Sequence, residues 1–104
     1  MQNINNDNFE EEVLKSDKTV MVEFFSDGCV PCKRMSPLLA ELEEEYTELK
    51  FVKLNISFGA ETAKRYDVMS SPTFIFFKEG NEVKRIRGVI PRDELEDIIG
   101  EVSA

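Results

Sequence analysis

Two apolar periods alternate along the chain. Val20 to Phe25 is apolar except at Glu23, and an unbroken apolar run of that length reads as a central strand covered on both faces. Phe51 to Ile56 predicts a second core strand and Thr73 to Phe77 an aromatic-rich third. Between them, Met35, Leu38, Leu39, Leu42 and Tyr46 fall on one helical face, with Glu41, Glu43, Glu44 and Glu45 mostly outward. Pro37 lies inside this helix and lacks an N–H, so a kink is expected there. Leu95, Ile98, Ile99 and Val102 mark a closing helix, with Pro91 placed as a first-turn residue. Ala60 to Tyr66 predicts a short helix. Asp7-Asn8-Phe9-Glu10 has the spacing of a capping box, with Asp7 as cap, Glu10 reaching back, and Phe9 and Val13 one turn apart. Glu79-Gly80-Asn81 supplies a tight turn into Val83 to Arg87, which predicts a hairpin. Asn3 to Asn5 is a candidate edge strand.

The resulting order is helix, strand, helix, strand, helix, strand, strand, helix. A parallel βαβ unit followed by an antiparallel hairpin implies an α/β fold, with a mixed sheet of four to five strands and about four helices on its two faces. No repeat, linker or low-complexity segment interrupts it, so residues 1–104 are expected to form a single domain.

Composition narrows the function. The chain is 41% apolar, enough for a core without covalent staples, and its net charge is −8 from 21 acidic and 13 basic residues. That balance repels a phosphate backbone, so no nucleic-acid partner is expected. The absence of histidine excludes imidazole acid–base chemistry and histidine–metal sites. No run approaches the roughly 18–20 apolar residues that span a bilayer, so no membrane partner is expected. Met1 to Asn8 is polar and does not read as a signal peptide. A cytoplasmic, reducing location and a monomer are expected.

The two cysteines, Cys29 and Cys32, stand three positions apart. A disulfide between them closes a tiny loop and restrains little of the unfolded chain, so a structural staple is a poor explanation. The pair lies where a strand ends and a helix begins. Free N–H groups and the positive end of the helix dipole favour an anion there, so the Cys29 thiol is expected to ionise more readily than a free thiol. Cys32, about a turn further in, is expected to be more buried. Cys29 is therefore the candidate nucleophile and Cys32 the candidate resolving thiol. Pro31 fits a first helical turn, and the β-branched Val30 stiffens the loop. Zinc is the competing reading, but a structural zinc site takes four ligands and nothing supplies the other two. No metal and no cofactor are expected.

Glu23 is the one charge in the first apolar run. Buried, it would have a raised pKa and could take a proton from Cys32 before that thiol attacks a mixed disulfide. Near the strand end it could equally reach water, and the residues alone leave the two readings even. Lys53 occupies the matching place in the next strand, either paired with Glu23 or snorkelling to solvent. In Ser70-Ser71-Pro72-Thr73, local sequence favours an ordinary trans bond before Pro72.

Taken together, the Val22-Glu23-Phe24-Phe25 strand, Cys29-Val30-Pro31-Cys32-Lys33, Pro37, Lys53-Leu54-Asn55, Ser71-Pro72-Thr73, Lys78-Glu79-Gly80 and Gly88 resemble the thioredoxin family across nearly the whole chain. The resemblance implies a thioredoxin fold and the reduction of client-protein disulfides, with recharging by a thioredoxin reductase. It implies that Cys29 attacks, Cys32 resolves, Glu23 stands at the family's buried aspartate, Lys53 is its lysine neighbour, and Pro72 is a cis-proline. It places Gly28, Val30, Pro31, Ser71, Pro72 and Gly88 at the client-binding surface. The family usually reads Trp-Cys-Gly-Pro-Cys, whereas this chain reads Gly28-Cys29-Val30-Pro31-Cys32 and holds no tryptophan. Phe25 stands where a second tryptophan is common. Losing the aromatic before Cys29 removes a flat surface used in partner docking, and Val30 in place of glycine bears on redox potential and reductase recognition, so the family's usual potential and partner do not carry over to this chain. An oxidase or isomerase usually carries histidine between its cysteines, and a glutaredoxin carries Pro-Tyr; neither pattern is present. The remaining alternative is a binding module that kept the fold without the chemistry.

Overall fold

The computed structural model describes residues 1–104. The apolar runs become the middle of one five-stranded sheet, ordered β1-β3-β2-β4-β5. Its strands are β1 (Gln2–Ile4), β2 (Thr19–Phe25), β3 (Leu49–Asn55), β4 (Thr73–Lys78) and β5 (Asn81–Arg87). β1 and β2 flank β3 in parallel, and β4 runs antiparallel to both β2 and β5. A short π-helical segment (Glu10–Leu14) precedes β2, α1 (Val30–Glu45) joins β2 to β3, α2 (Ala60–Arg65) follows β3, and α3 (Arg92–Ser103) closes the chain.

The two-residue period of the strands sorts side chains into two cores. Val20, Val22, Phe24, Ile75 and Phe77 point to one face, where they meet Phe9, Val13 and Ala63. There Phe9, Tyr66 and Phe77 form an aromatic cluster with centroids 5.2 to 5.7 Å apart, Phe77 standing edge-on to the other two rings, an arrangement the ring quadrupoles favour. Met21, Phe51, Phe74 and Phe76 point to the other face and pack under Met35, Leu39 and Leu42 of α1 and Leu95, Ile99 and Val102 of α3. Glu23 shares the parity of Met21. Alternation therefore aims its carboxyl at α1, the helix that carries the cysteines.

Several local expectations change. The Asp7–Glu10 capping box does not form. Asn5 and Asn8 do the work instead: Asn5 Oδ1 accepts from the N–H groups of Asp7 and Asn8, and Asn8 Oδ1 accepts from Asn5 N–H. An asparagine amide reaches neighbouring backbone donors as well as a carboxylate does, and Glu10 turns outward to Lys15, 3.7 Å away. The edge strand begins at Gln2 rather than Asn3, β3 begins at Leu49 rather than Phe51, and β5 begins at Asn81 rather than Val83. The hairpin turn is therefore only Glu79-Gly80, with φ of 53° and 81°, the two positive values that suit the twist of a two-residue hairpin. Pro91 sits just outside α3 as its cap rather than in its first turn. As expected, Pro37 lies inside α1, which continues to Glu45.

Candidate redox site

β2 stops at Phe25, and the chain turns through Ser26, Asp27 and Gly28 into α1. Gly28 has φ of +75° with open space where a Cβ would lie. The backbone angle, not crowding, favours glycine at the position where the family usually has tryptophan. Cys29 is the N-cap of the 16-residue α1, and its Sγ accepts from the N–H of Cys32 at 3.2 Å. Its carbonyl accepts from Lys33 N–H at 3.2 Å, the first closed turn. The sulfurs of Cys29 and Cys32 are joined in a disulfide with the Cα atoms 5.3 Å apart. Cys29 is half-buried, whereas Cys32 is 5% exposed. Pro31 lies in the first turn, where its missing N–H would have had no helical partner. Lys33 and Arg34 follow, and no acid occupies that turn.

A cavity of about 300 Å³ opens beside the pair, lined by Glu23, Cys29, Cys32, Lys33, Ser36 and Lys53 among others. A second, of about 210 Å³, reaches Glu23, Ser36 and Lys53 from the Leu39–Ala40 side of α1. The largest depression, about 710 Å³, lies at the Lys15–Lys18 and Thr47–Phe51 segments and touches no candidate residue. Of the two readings of Glu23, burial is the one the fold realises. The residue is 4% exposed, and loss of hydration pushes its carboxyl up from 4.5 to about 7, with the Lys53 charge pulling weakly the other way. Lys53 is directly across from Glu23 in the β2–β3 register, yet no ion pair joins them. Its ammonium lies 5.4 Å from the centroid of the Phe25 ring, a cation–π distance.

Outside this cavity, the Pro72 loop is tied to the cysteine loop through Ser71 and Ser26. The Ser71–Pro72 peptide bond is cis. Pro72 is buried, its carbonyl accepts from Gly88 N–H at 2.8 Å, and Thr73 Oγ1 donates to Ser70 O at 2.8 Å. Gly88 takes φ of +87° to make that contact. Val30, Met69 and Val89 stand in the three converging segments and are 56%, 89% and 55% exposed. Two ties join the cysteine loop to its surroundings, and their partners within that loop, Ser26 and Asp27, belong to no quoted motif. Asn55 Nδ2 donates to Asp27 Oδ1 at 3.3 Å, and the hydroxyls of Ser26 and Ser71 lie 2.7 Å apart. The Ser26–Ser71 partners are 45 residues apart in sequence, a separation at which no spacing rule operates.

A family model described as thioredoxin matches residues 1–101. The chain is similar to a thioredoxin of Streptomyces clavuligerus, 40% identical over 95 residues that make up 91% of this chain and 89% of the relative. It is 44% identical over 81 residues to a thioredoxin of Mycobacterium tuberculosis, covering 77% of this chain and 70% of that one. A spinach thioredoxin M-type, chloroplastic, is 37% identical over 100 residues, 95% of this chain; those residues span 55% of the spinach protein's length. A mixed sheet of this order, a disulfide at the head of the helix after β2, and a family match over residues 1–101 agree. The chain belongs to the thioredoxin family of thiol–disulfide oxidoreductases.

Proposed function

We propose that the protein is an electron carrier that reduces disulfides in client proteins and is recharged by a thioredoxin reductase. The observation that carries this is the asymmetry of the pair: a half-exposed Cys29 at the head of a long helix, bonded to a buried Cys32. In the reduced protein the free N–H of Cys32 and the helix dipole face the Cys29 sulfur and favour its thiolate. That thiolate attacks one sulfur of a client disulfide. A Cys29–client bond forms, the client S–S bond breaks, and the leaving client thiolate takes up a proton. Cys32 then gives its proton to Glu23, whose carboxyl titrates near neutrality and shares the same cavity. The Cys32 thiolate attacks Cys29 Sγ, the Cys29–client bond breaks, and the second client thiolate departs and takes up the proton that Glu23 held. Two electrons and two protons have passed to the client, and the Cys29–Cys32 disulfide remains. Lys53 modulates Glu23 through its charge.

Clients dock across Gly28, Val30 and Pro31 on one side and Ser71, Pro72 and Gly88 on the other. The exposed Val30, Met69 and Val89 offer apolar contact where the usual tryptophan is missing. We place the protein, as a monomer and a single domain, in a reducing compartment of cytoplasmic type. There a close-spaced pair can cycle, and no helix is long and apolar enough to cross a membrane.

Insulin reduction with dithiothreitol, with Cys29→Ser alongside, tests the reading. The expected result is turnover by the wild type and none by the variant. Equal inactivity would leave a binding module that only retains the fold. Addition of a flavoprotein thioredoxin reductase in place of dithiothreitol tests the recharging step.

A further inference from the structure

β2 and β4 pair antiparallel as far as Phe24 opposite Thr73. The next residue of β4's approach is Pro72, which has no N–H to donate, so the backbone ladder stops. Two steps beyond Phe24 and Thr73, in the same register, stand Ser26 and Ser71. Their hydroxyls meet at 2.7 Å, and either can donate. A side-chain rung therefore continues the ladder where the backbone cannot. It is the only hydrogen bond between the Ser26–Cys29 loop and the Ser70–Pro72 loop. The carbonyl of Pro72 is already engaged on the opposite side by Gly88. Ser26 also reaches the nucleophile's own backbone, because its carbonyl accepts from Cys29 N–H at 3.4 Å. One residue thus contacts both walls of the surface across which a client must lie.

We propose that Ser26 is a positioning residue whose bond to Ser71 sets the separation between Cys29 and the Pro72 loop, and so sets how well an extended client segment is held for attack. The proposal rests on the disulfide-reductase reading above. Without the rung each hydroxyl turns to water, both being half-buried, so the fold survives while the groove widens and wanders.

The test is steady-state insulin reduction by wild type, Ser26→Ala, Ser71→Ala, the double variant and Ser26→Thr. A single neutral hydrogen bond corresponds to about a fivefold change. The expected result is KM raised about fivefold in Ser26→Ala, and at least that in Ser71→Ala, which also alters the docking surface, with kcat in Ser26→Ala changed less than about twofold. The double variant should be no worse than Ser71→Ala, and the Ser26→Thr variant should restore the wild-type KM by returning the hydroxyl. An unchanged KM in Ser26→Ala, losses that multiply in the double variant, or a fall confined to kcat would each overturn the proposal. Amide hydrogen exchange on the oxidised proteins reads the rung without turnover. The amides of residues 26–29 and of Ser71 should exchange about fivefold faster in Ser26→Ala, on the same single-bond estimate, with the β2–β4 ladder unmoved. Loss of activity in the wild type would strike the reductase reading, and the exchange comparison would still decide the rung.

Discussion

Glu23→Gln replaces the buried carboxyl by a group of the same shape that never ionises. In the folded chain this carboxyl titrates at about 7 against 4.5 when hydrated, chiefly because β2 and α1 strip its water. Between those two values the native state holds a proton that the unfolded state has released. Stability therefore falls as pH rises from about 4.5 through about 7, and it stays low above that. The shift corresponds to about 3 kcal/mol at roughly 1.4 kcal/mol per pH unit. This is an upper value, because the cavities on either side of Glu23 admit some solvation. In the glutamine variant the penalty is absent. Urea unfolding of the two oxidised proteins should thus give nearly equal stabilities at pH 4.5. By pH 8 the variant should lead by up to about 3 kcal/mol, or roughly 10–20 °C in melting temperature for a chain of this size. The acid-side losses from Glu12, Glu82 and Glu96, which Lys50, Arg85, and Tyr46 with Arg92 hold below the usual carboxylate range, are common to both proteins and cancel in the difference. A difference that stays flat from pH 4.5 to 8 would refute the argument that desolvation dominates at Glu23.

Lys53→Met removes the one nearby cation that lowers the Glu23 pKa, so its midpoint, followed by carboxyl NMR titration, should move above about 7; a downward move would mean the lysine acts by another route. Cys32→Ser should halt the cycle after the first step and accumulate a client joined to Cys29, visible as a mixed-disulfide mass; its absence, with insulin still reduced, would displace Cys32 as the resolving thiol. Gly28→Ala should destabilise the protein by about 1–2 kcal/mol in denaturant melts through its left-handed φ alone, since open space surrounds the added methyl. Gly59→Ala should cost about 1–3 kcal/mol by the same measurement for a different reason: the new Cβ would lie 2.4 Å from Cδ2 of the fully buried Leu54.

The elements were legible in the sequence because their causes are local. The near-continuous apolar run of Val20 to Phe25 and the helical period from Met35 to Tyr46 mark their elements within a few turns of chain. So was the strand-to-helix junction at Cys29, because a cysteine pair ahead of an amphipathic stretch needs only its neighbours to reach a helix head. Boundaries slipped where a nearby competitor served as well, as when Asn5 and Asn8 took over the turn from Asp7 and Glu10. What packing alone decided is the environment. Glu23 reads as buried or solvated with equal ease until α1 closes over β2, because desolvation is a property of the surrounding volume. Lys53 stands opposite Glu23 in register, but the Phe25 ring lies within its reach, and no pairing rule anticipates that choice. The Ser26–Ser71 rung joins residues 45 positions apart. Spacing encodes contacts within a turn, whereas contacts and hydration across the sheet exist only once distant segments have been brought together.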